Sequence, residues 1–152
     1  MRVIFNIYCF LLLSTTVIRA QEAAFGFTFN HVALSVKDVN KAADFYSNVL
    51  ELKEITNKTK AEGIRWFSLG DGKELHLIST IKTDVKINKA IHFALTTPTF
   101  DLFVKKLEQQ NVEYSDWPGG NRKISTRADG IRQIFFQDAD GNWIEVNSAT
   151  PH

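Results

Sequence analysis

Four side chains able to hold a metal stand at related places in this chain: His31 opens "HVALSV", His92 opens "HFALTT", His76 ends "DGKELH" and Glu145 ends "DGNWIE". Imidazole nitrogens with a carboxylate oxygen, and no thiolate among them, suit Zn, Ni, Mn or Fe(II). Two histidines and one carboxylate would leave positions on such an ion open for a small substrate or for oxygen. A single histidine on a strand is most often structural, satisfied by one hydrogen bond. Of the four histidines, however, only His152 at the terminus lies outside these recurring positions.

The elements that must carry these residues are themselves repeated. "HVALSV" and "HFALTT" share His, Ala and Leu in register at an offset of 61 (92 minus 31), and the two Asp-Gly pairs lie 69 apart (140 minus 71). The eight extra residues fall in "DWPGGNRKISTRADG", whose Pro, Gly and polar residues mark a long loop. After Asp38, an N-cap residue, Val39, Ala42, Ala43, Tyr46, Val49 and Leu50 recur at helical steps. After "TTP", with Pro98 suited to a first turn, Phe100, Phe103, Val104 and Leu107 do the same. Both stripes are core faces. Extended stretches follow each helix, "LKEITN", "GIRWFSL" and "ELHLIS" and then "VEYS", "GIRQIFFQ" and "WIEVNS". Each half therefore reads strand, helix, strand, strand, strand, with "TDVKINKA" as a short ordered link.

Alternation along a strand sets His31, Ala33 and Ser35 on one face, and likewise His92, Ala94 and Thr96. It also groups Glu74 with His76, and Trp143 with Glu145 and Asn147. The four candidate ligands thus project from strands, whose rigidity suits a metal site. Arg65, Arg122, Arg127 and Arg132 can hold an acidic substrate and Trp66 and Trp117 can line its pocket. Arg65, Trp66 and Arg132 are the preferred candidates; for each, surface solvation or packing is the competing role.

A basic Arg2, an apolar run from Val3 to Ile18 and Ala20 before "QEAAFG" predict a signal peptide over residues 1–20, with export to the periplasm or exterior. The 132 residues left (152 less 20) suit one domain, expected over 27–148 with modules 27–80 and 90–148. The 18 Lys and Arg less Arg2 and Arg19 leave 16 against 17 acidic side chains, a balance that gives no bulk attraction for nucleic acid. The mature form is expected to have no membrane span. Cys9, the one cysteine, leaves with the leader, which excludes disulfides and a cysteine nucleophile. "NKT" at 57–59 fits a glycosylation acceptor. No "GxSxG" and no phosphate loop is present.

The segments "NHVALSVKDVNKAADFYSNVLEL", "IHFALTT" and "IRQIFFQDADGNWIEVN" resemble the vicinal oxygen chelate superfamily, which includes glyoxalase I, bleomycin-resistance proteins, fosfomycin-resistance transferases and extradiol dioxygenases. The resemblance implies an α+β fold of two tandem βαβββ modules forming a curved mixed β-sheet cup around a divalent metal. It places metal ligands at His31, His92 and Glu145, and His76 where glyoxalase I has glutamate and methylmalonyl-CoA epimerase glutamine. It implies a homodimer, and a lyase or isomerase that chelates a small substrate through neighbouring oxygens. Glu145 and His76 are then the groups that move a proton, His76 either as ligand or unligated. The alternatives are a bleomycin-resistance-like binding module without catalysis and an Fe(II) extradiol-type dioxygenase. Glu51 replaces a glycine usual in glyoxalases, a change expected to alter a turn.

Overall fold

The computed structural model describes residues 26, 28–81, 83 and 85–150; the signal-peptide reading lies outside them. The first half contains β1 (His31–Ser35), α1 (Val39–Asn48), β2 (Glu54–Ile55), β3 (Ile64–Gly70) and β4 (Lys73–Ile78). The second contains β5 (His92–Thr96), α2 (Phe100–Gln109), β6 (Tyr114–Ser115), β7 (Ser125–Thr126), β8 (Arg132–Gln137) and β9 (Trp143–Asn147). Each half folds into its own mixed sheet, ordered β1-β4-β3-β2 and β5-β9-β8-β6, with β7 also pairing β8. β1 runs parallel to β4 and β5 parallel to β9, so each helix is the crossover of a parallel pair.

Helix α1 starts where Asp38 accepts hydrogen bonds from the backbone of Asn40 and Lys41, and it buries Ala42, Ala43 and Tyr46. Helix α2 buries Phe100, Val104 and Leu107, as its stripe predicts. Its N-cap is Thr99, which leaves Pro98 before the cap instead of in the first turn. The long loop of the second half is more ordered than its composition suggests. It contains β7 and a bridge between Ser115 and Asn121. Glu51 adopts a left-handed conformation just beyond α1 (φ 54°), the turn for which a glycine would have been suited, and pairs with Lys106 of α2.

The helix-facing residues of both sheets enter one core. Phe67, Leu75 and Leu77 of the first half and Ile134, Phe136, Ile144 and Val146 of the second pack there with Tyr46, Phe100, Val104 and Leu107. Asp138 locks the halves together. Its buried carboxylate accepts from the Tyr46 hydroxyl (3.0 Å), the Asn142 amide side chain (2.8 Å) and the backbone of Asp140 and Asn142 (both 2.9 Å). Burial first, and then Asp138, push the Tyr46 phenol far above its ordinary range. Asn142 and Asp140 then reach across to the Ser35 carbonyl and the Lys37 amide.

The two similar Asp-Gly pairs therefore serve different ends. Asp71-Gly72 forms the tight β3–β4 hairpin, both residues at positive φ, whereas Asp140-Gly141 belongs to the loop that Asp138 organises. Asn57, the residue of the glycosylation triplet, donates its amide nitrogen to the carbonyls of Ala61 and Ile64. A glycan on that nitrogen would cost the loop at least one of these bonds.

Candidate metal centre

With the apolar faces turned into the common core, the histidine-bearing faces of the two sheets look outward, and His31, Ala33 and Ala94 are exposed. Strand register produces equivalent rows on these faces. In the first half the row is Ala33, His76, Trp66 and Ile55; in the second it is Ala94, Glu145, Phe135 and Ser115. His76 and Glu145 thus occupy corresponding places, as do His31 and His92.

In the second half the donor atoms converge. His92 Nδ1 lies 2.8 Å from the Lys89 carbonyl, which can only accept, so Nδ1 carries the proton and Nε2 presents a lone pair. That Nε2 lies 3.3 Å from Glu145 Oε2, while Glu145 Oε1 accepts from Asn147 Nδ2 at 2.8 Å. With the ring neutral, two lone-pair atoms at this distance repel unless a cation lies between them, whereas an imidazolium would pair with the carboxylate directly. Tetrahedral ligands with bonds of ~2.0–2.2 Å stand about 3.3 Å apart, so the pair fits a divalent metal. Glu145 is buried, and the His92 ring meets Phe135 and Trp117 edge-on at 5.4 and 6.1 Å between centroids.

In the first half the rings stack instead. His76 lies between Trp66 (4.1 Å, 9°) and His31 (4.4 Å, 18°). Its Nε2 donates to Glu74 Oε2 at 2.8 Å, leaving the lone pair on Nδ1, whereas His31 Nδ1 pairs with Asn30 Oδ1 at 2.7 Å, leaving Nε2 free. An imidazole binds a metal in its own plane. Two planes only 18° apart and displaced by a stacking distance meet far beyond a bond of ~2.1 Å, so His31 and His76 as placed cannot share one ion. Among the described residues, no three of His, Cys, Asp or Glu within the chain come together as a metal site. The four candidate ligands are divided two and two.

The arginines chosen as substrate contacts stand elsewhere. Arg65 aligns with Leu77 and so lies on the helix face of β3, bonded through two nitrogens to Glu54 (2.7 and 2.6 Å) and to Asn40 of α1. The Arg65 hydrogen bonds hold Glu54 below its usual carboxylate range. Arg132 likewise leaves β8 on the helix side, where it forks onto Asp101 (3.1 and 2.7 Å) over the Phe100 ring. Arg122 pairs with Glu113 and Arg127 with Asp129. Trp66 and Trp117 do reach the histidine faces.

Lys89 went unnoticed in the sequence. Its ammonium donates to Ser115 Oγ (2.9 Å) and to the carbonyls of Asp116 (2.5 Å) and Trp117 (3.3 Å). It lies 4.9 Å from the ring centres of Phe135 and Trp143 and 5.9 Å from that of Trp117. Burial holds its pKa below the usual lysine range, with Asp116 opposing. A lysine in a linker carries no pattern that could have announced this role.

The model of the Glyoxalase/Bleomycin resistance protein/Dioxygenase superfamily matches residues 28–146, and the chain belongs to that superfamily. Its fold is the α+β arrangement of two mixed sheets shared by solved members. A glyoxalase family protein from Bacillus anthracis superposes with a TM-score of 0.66 at 22% identity, covering 82% of this chain and 96% of that one. A lactoylglutathione lyase from Agrobacterium tumefaciens gives 0.63 at 18%, covering 80% and 93%. Among curated proteins, the uncharacterised YwbC of Bacillus subtilis (strain 168) is 28% identical over 122 residues, 76% of this chain and 93% of its own length. A metallothiol transferase, FosB of Staphylococcus saprophyticus, is 23% identical over 128 residues, 81% of this chain and 78% of its own.

Proposed function

We propose that this protein is a divalent-metal-dependent enzyme acting on a small oxygenated molecule, of the lyase or isomerase type, with each metal held between two subunits. The approach of His92 Nε2 to Glu145 Oε2, with each side chain steadied on its far side, carries this reading. The remaining donor is His31 Nε2 of the other subunit. Both His31 and His92 present the same nitrogen, and β1 and β5 are the edge strands of their sheets.

Zn, Ni, Mn or Fe(II), when bound, supplies a Lewis acid for two neighbouring substrate oxygens. Glu145, its Oε1 held by Asn147, would take the proton from the adjoining carbon on Oε2 once that oxygen turns from the metal to the substrate. His76 stays off the metal as a relay partnered by Glu74, and Trp66, Phe135 and Trp117 form apolar walls. Cobalt or zinc titration of the chain tests this. One ion per subunit, lost in His92→Ala and in Glu145→Ala, is expected; a folded wild type that binds neither ion would leave the metal-free binding module as the reading.

A second reading, thiol transfer to a small electrophile, draws on the likeness to a metallothiol transferase and on His76 standing where a second carboxylate would be needed for two-base isomerisation. Metal-dependent thiol consumption without hemithioacetal isomerisation would select it. A strict Fe(II) requirement with oxygen uptake would select the dioxygenase reading instead.

A further inference from the structure

The three ammonium protons of Lys89 meet three oxygens, and all three belong to the stretch from Ser115 to Trp117 that begins the long loop. The loop is tight where it is gripped. Gly120 donates its backbone N–H to Asp116 Oδ1 at 2.6 Å, Gly119 donates to the Asp116 carbonyl, and a Cβ on Gly120 would come within 2.6 Å of Lys123. From the same residue the Lys89 backbone carbonyl takes the His92 Nδ1 proton. One residue thus touches both the loop and the metal-facing histidine. The aromatic rings around it are those around His92, since Trp117 and Phe135 flank both and lie 5.3 Å from each other.

We propose that Lys89 is a positioning residue that couples the 116–130 loop to the second half-site, its ammonium pinning Trp117 beside His92 while its carbonyl fixes which His92 nitrogen faces the metal. Three observations favour coupling over surface packing. The ammonium binds backbone carbonyls and a hydroxyl, groups that give a loop its path, instead of a carboxylate. It sits against three aromatic rings, where a cation without those oxygens would be poorly solvated. Residues 85–90 lie outside any strand; the Lys89 carbonyl belongs to a turn closed by Asn88, which accepts from the Ile91 and Ala90 amides, and the Lys89 side chain is what ties that turn to the long loop. The consequence for His92 is specific: with the clamp released, the Nδ1 proton loses its fixed acceptor and the ring can present either nitrogen.

The coupling to metal rests on the proposed function, whereas the clamp and the tautomer can be read without metal. The experiment uses the full chain carrying Trp66→Phe and Trp143→Phe, so that Trp117 is the sole tryptophan, with Lys89→Met and Lys89→Arg added singly. In metal-free protein, Lys89→Met should lower the anisotropy of the Trp117 emission, as a ring already half exposed loses the tie that holds its backbone. It should also turn the His92 15N signals from one tautomer to a mixture. Its cobalt affinity should fall on the order of 10–100-fold, the usual cost of losing an outer partner of a ligand. Lys89→Arg, which keeps the charge and the donors, should restore most of all three. Unchanged anisotropy and a single His92 tautomer in a folded Lys89→Met protein would overturn the proposal, as would altered anisotropy with the tautomer untouched. If the parent chain binds no cobalt, the metal reading fails separately, and anisotropy and tautomer still decide the role of Lys89.

Discussion

The two histidine faces are built on the same register yet arrive at opposite arrangements, and two cross-strand neighbours account for the difference. Beside His31 stands Glu74, and beside His92 stands Trp143. Glu74 draws the His76 Nε2 proton and turns that ring into a stack with Trp66 and His31. Trp143 offers no such acceptor, so Glu145 turns toward His92. One step further along, Asn147 occupies the place that Ile78 has in the first half, and only Asn147 can hold the far oxygen of its neighbour. One duplicated scaffold thus yields a stacked half that presents one histidine lone pair and a convergent half that presents a nitrogen and an oxygen. The lesson is that the identity of a ligand is set by its own position, but its availability is set by the residue two places along the strand and the one across from it.

The largest effect that separates the halves is on stability. Asp138→Ala should cost about 3–5 kcal/mol, because it strands the buried Tyr46 hydroxyl and Asn142 amide. Asp71→Asn, which keeps a residue suited to the left-handed turn at the exposed hairpin that looks similar in sequence, should cost less than ~1 kcal/mol in denaturant melts, and a comparable loss at both would deny the distinction. Next, Glu145→Ala should weaken cobalt binding by more than about 100-fold, the loss expected when a direct ligand goes, against a few-fold for His76→Ala. Equal losses would return His76 to the ligand set.

Asn147→Ala, which frees Glu145 to turn, should cost on the order of 10–100-fold in the same titration, whereas Ile78→Ala should leave metal affinity alone. The Tyr46 phenol gives a pH test of the lock between the halves. Its pKa is raised in the folded chain, so the fold keeps a proton that the unfolded chain releases near the ordinary tyrosine value of about 10. Stability should therefore be whole below that pH and fall above it by up to ~1.4 kcal/mol per pH unit, with Tyr46→Phe removing this tyrosine's share of the slope. The smallest change is expected for Glu74→Gln. Metal affinity should hold within a few-fold, while turnover falls as His76 loses the carboxylate that holds its ring.

Much of this arrangement was legible in the chain. The spacing of His31 and His92, the Asp38 cap and the alternation through "WIEVN" gave the modules and the rows that carry His76 and Glu145. The arginines were misplaced for a visible reason. Arg65 alternates with Trp66 and shares a face with the core residue Phe67, so period-two reading alone assigns it to the helix side, where Glu54 and Asn40 hold it. Strand phase outweighs charge type in placing this side chain. The link that Asp138 makes between the halves was not legible, because Tyr46 lies 92 residues away, and neither was Lys89, whose partners lie in an aperiodic loop. The stacking of His76 depends on a carboxylate two residues back and a ring on the next strand, an outcome of register and not of composition.

The proposed metal site lies between two subunits, and mixing two defective proteins tests that most directly. The His31→Ala and Glu145→Ala proteins, each expected to bind no metal, are unfolded together, refolded as a mixture and analysed for metal. A site shared between subunits predicts recovery, because each mixed dimer regains one intact site, about a quarter of the wild-type metal content at random pairing. No recovery in mixed dimers shown to have formed would contradict the account, since a site built within one chain carries its defect wherever that chain goes.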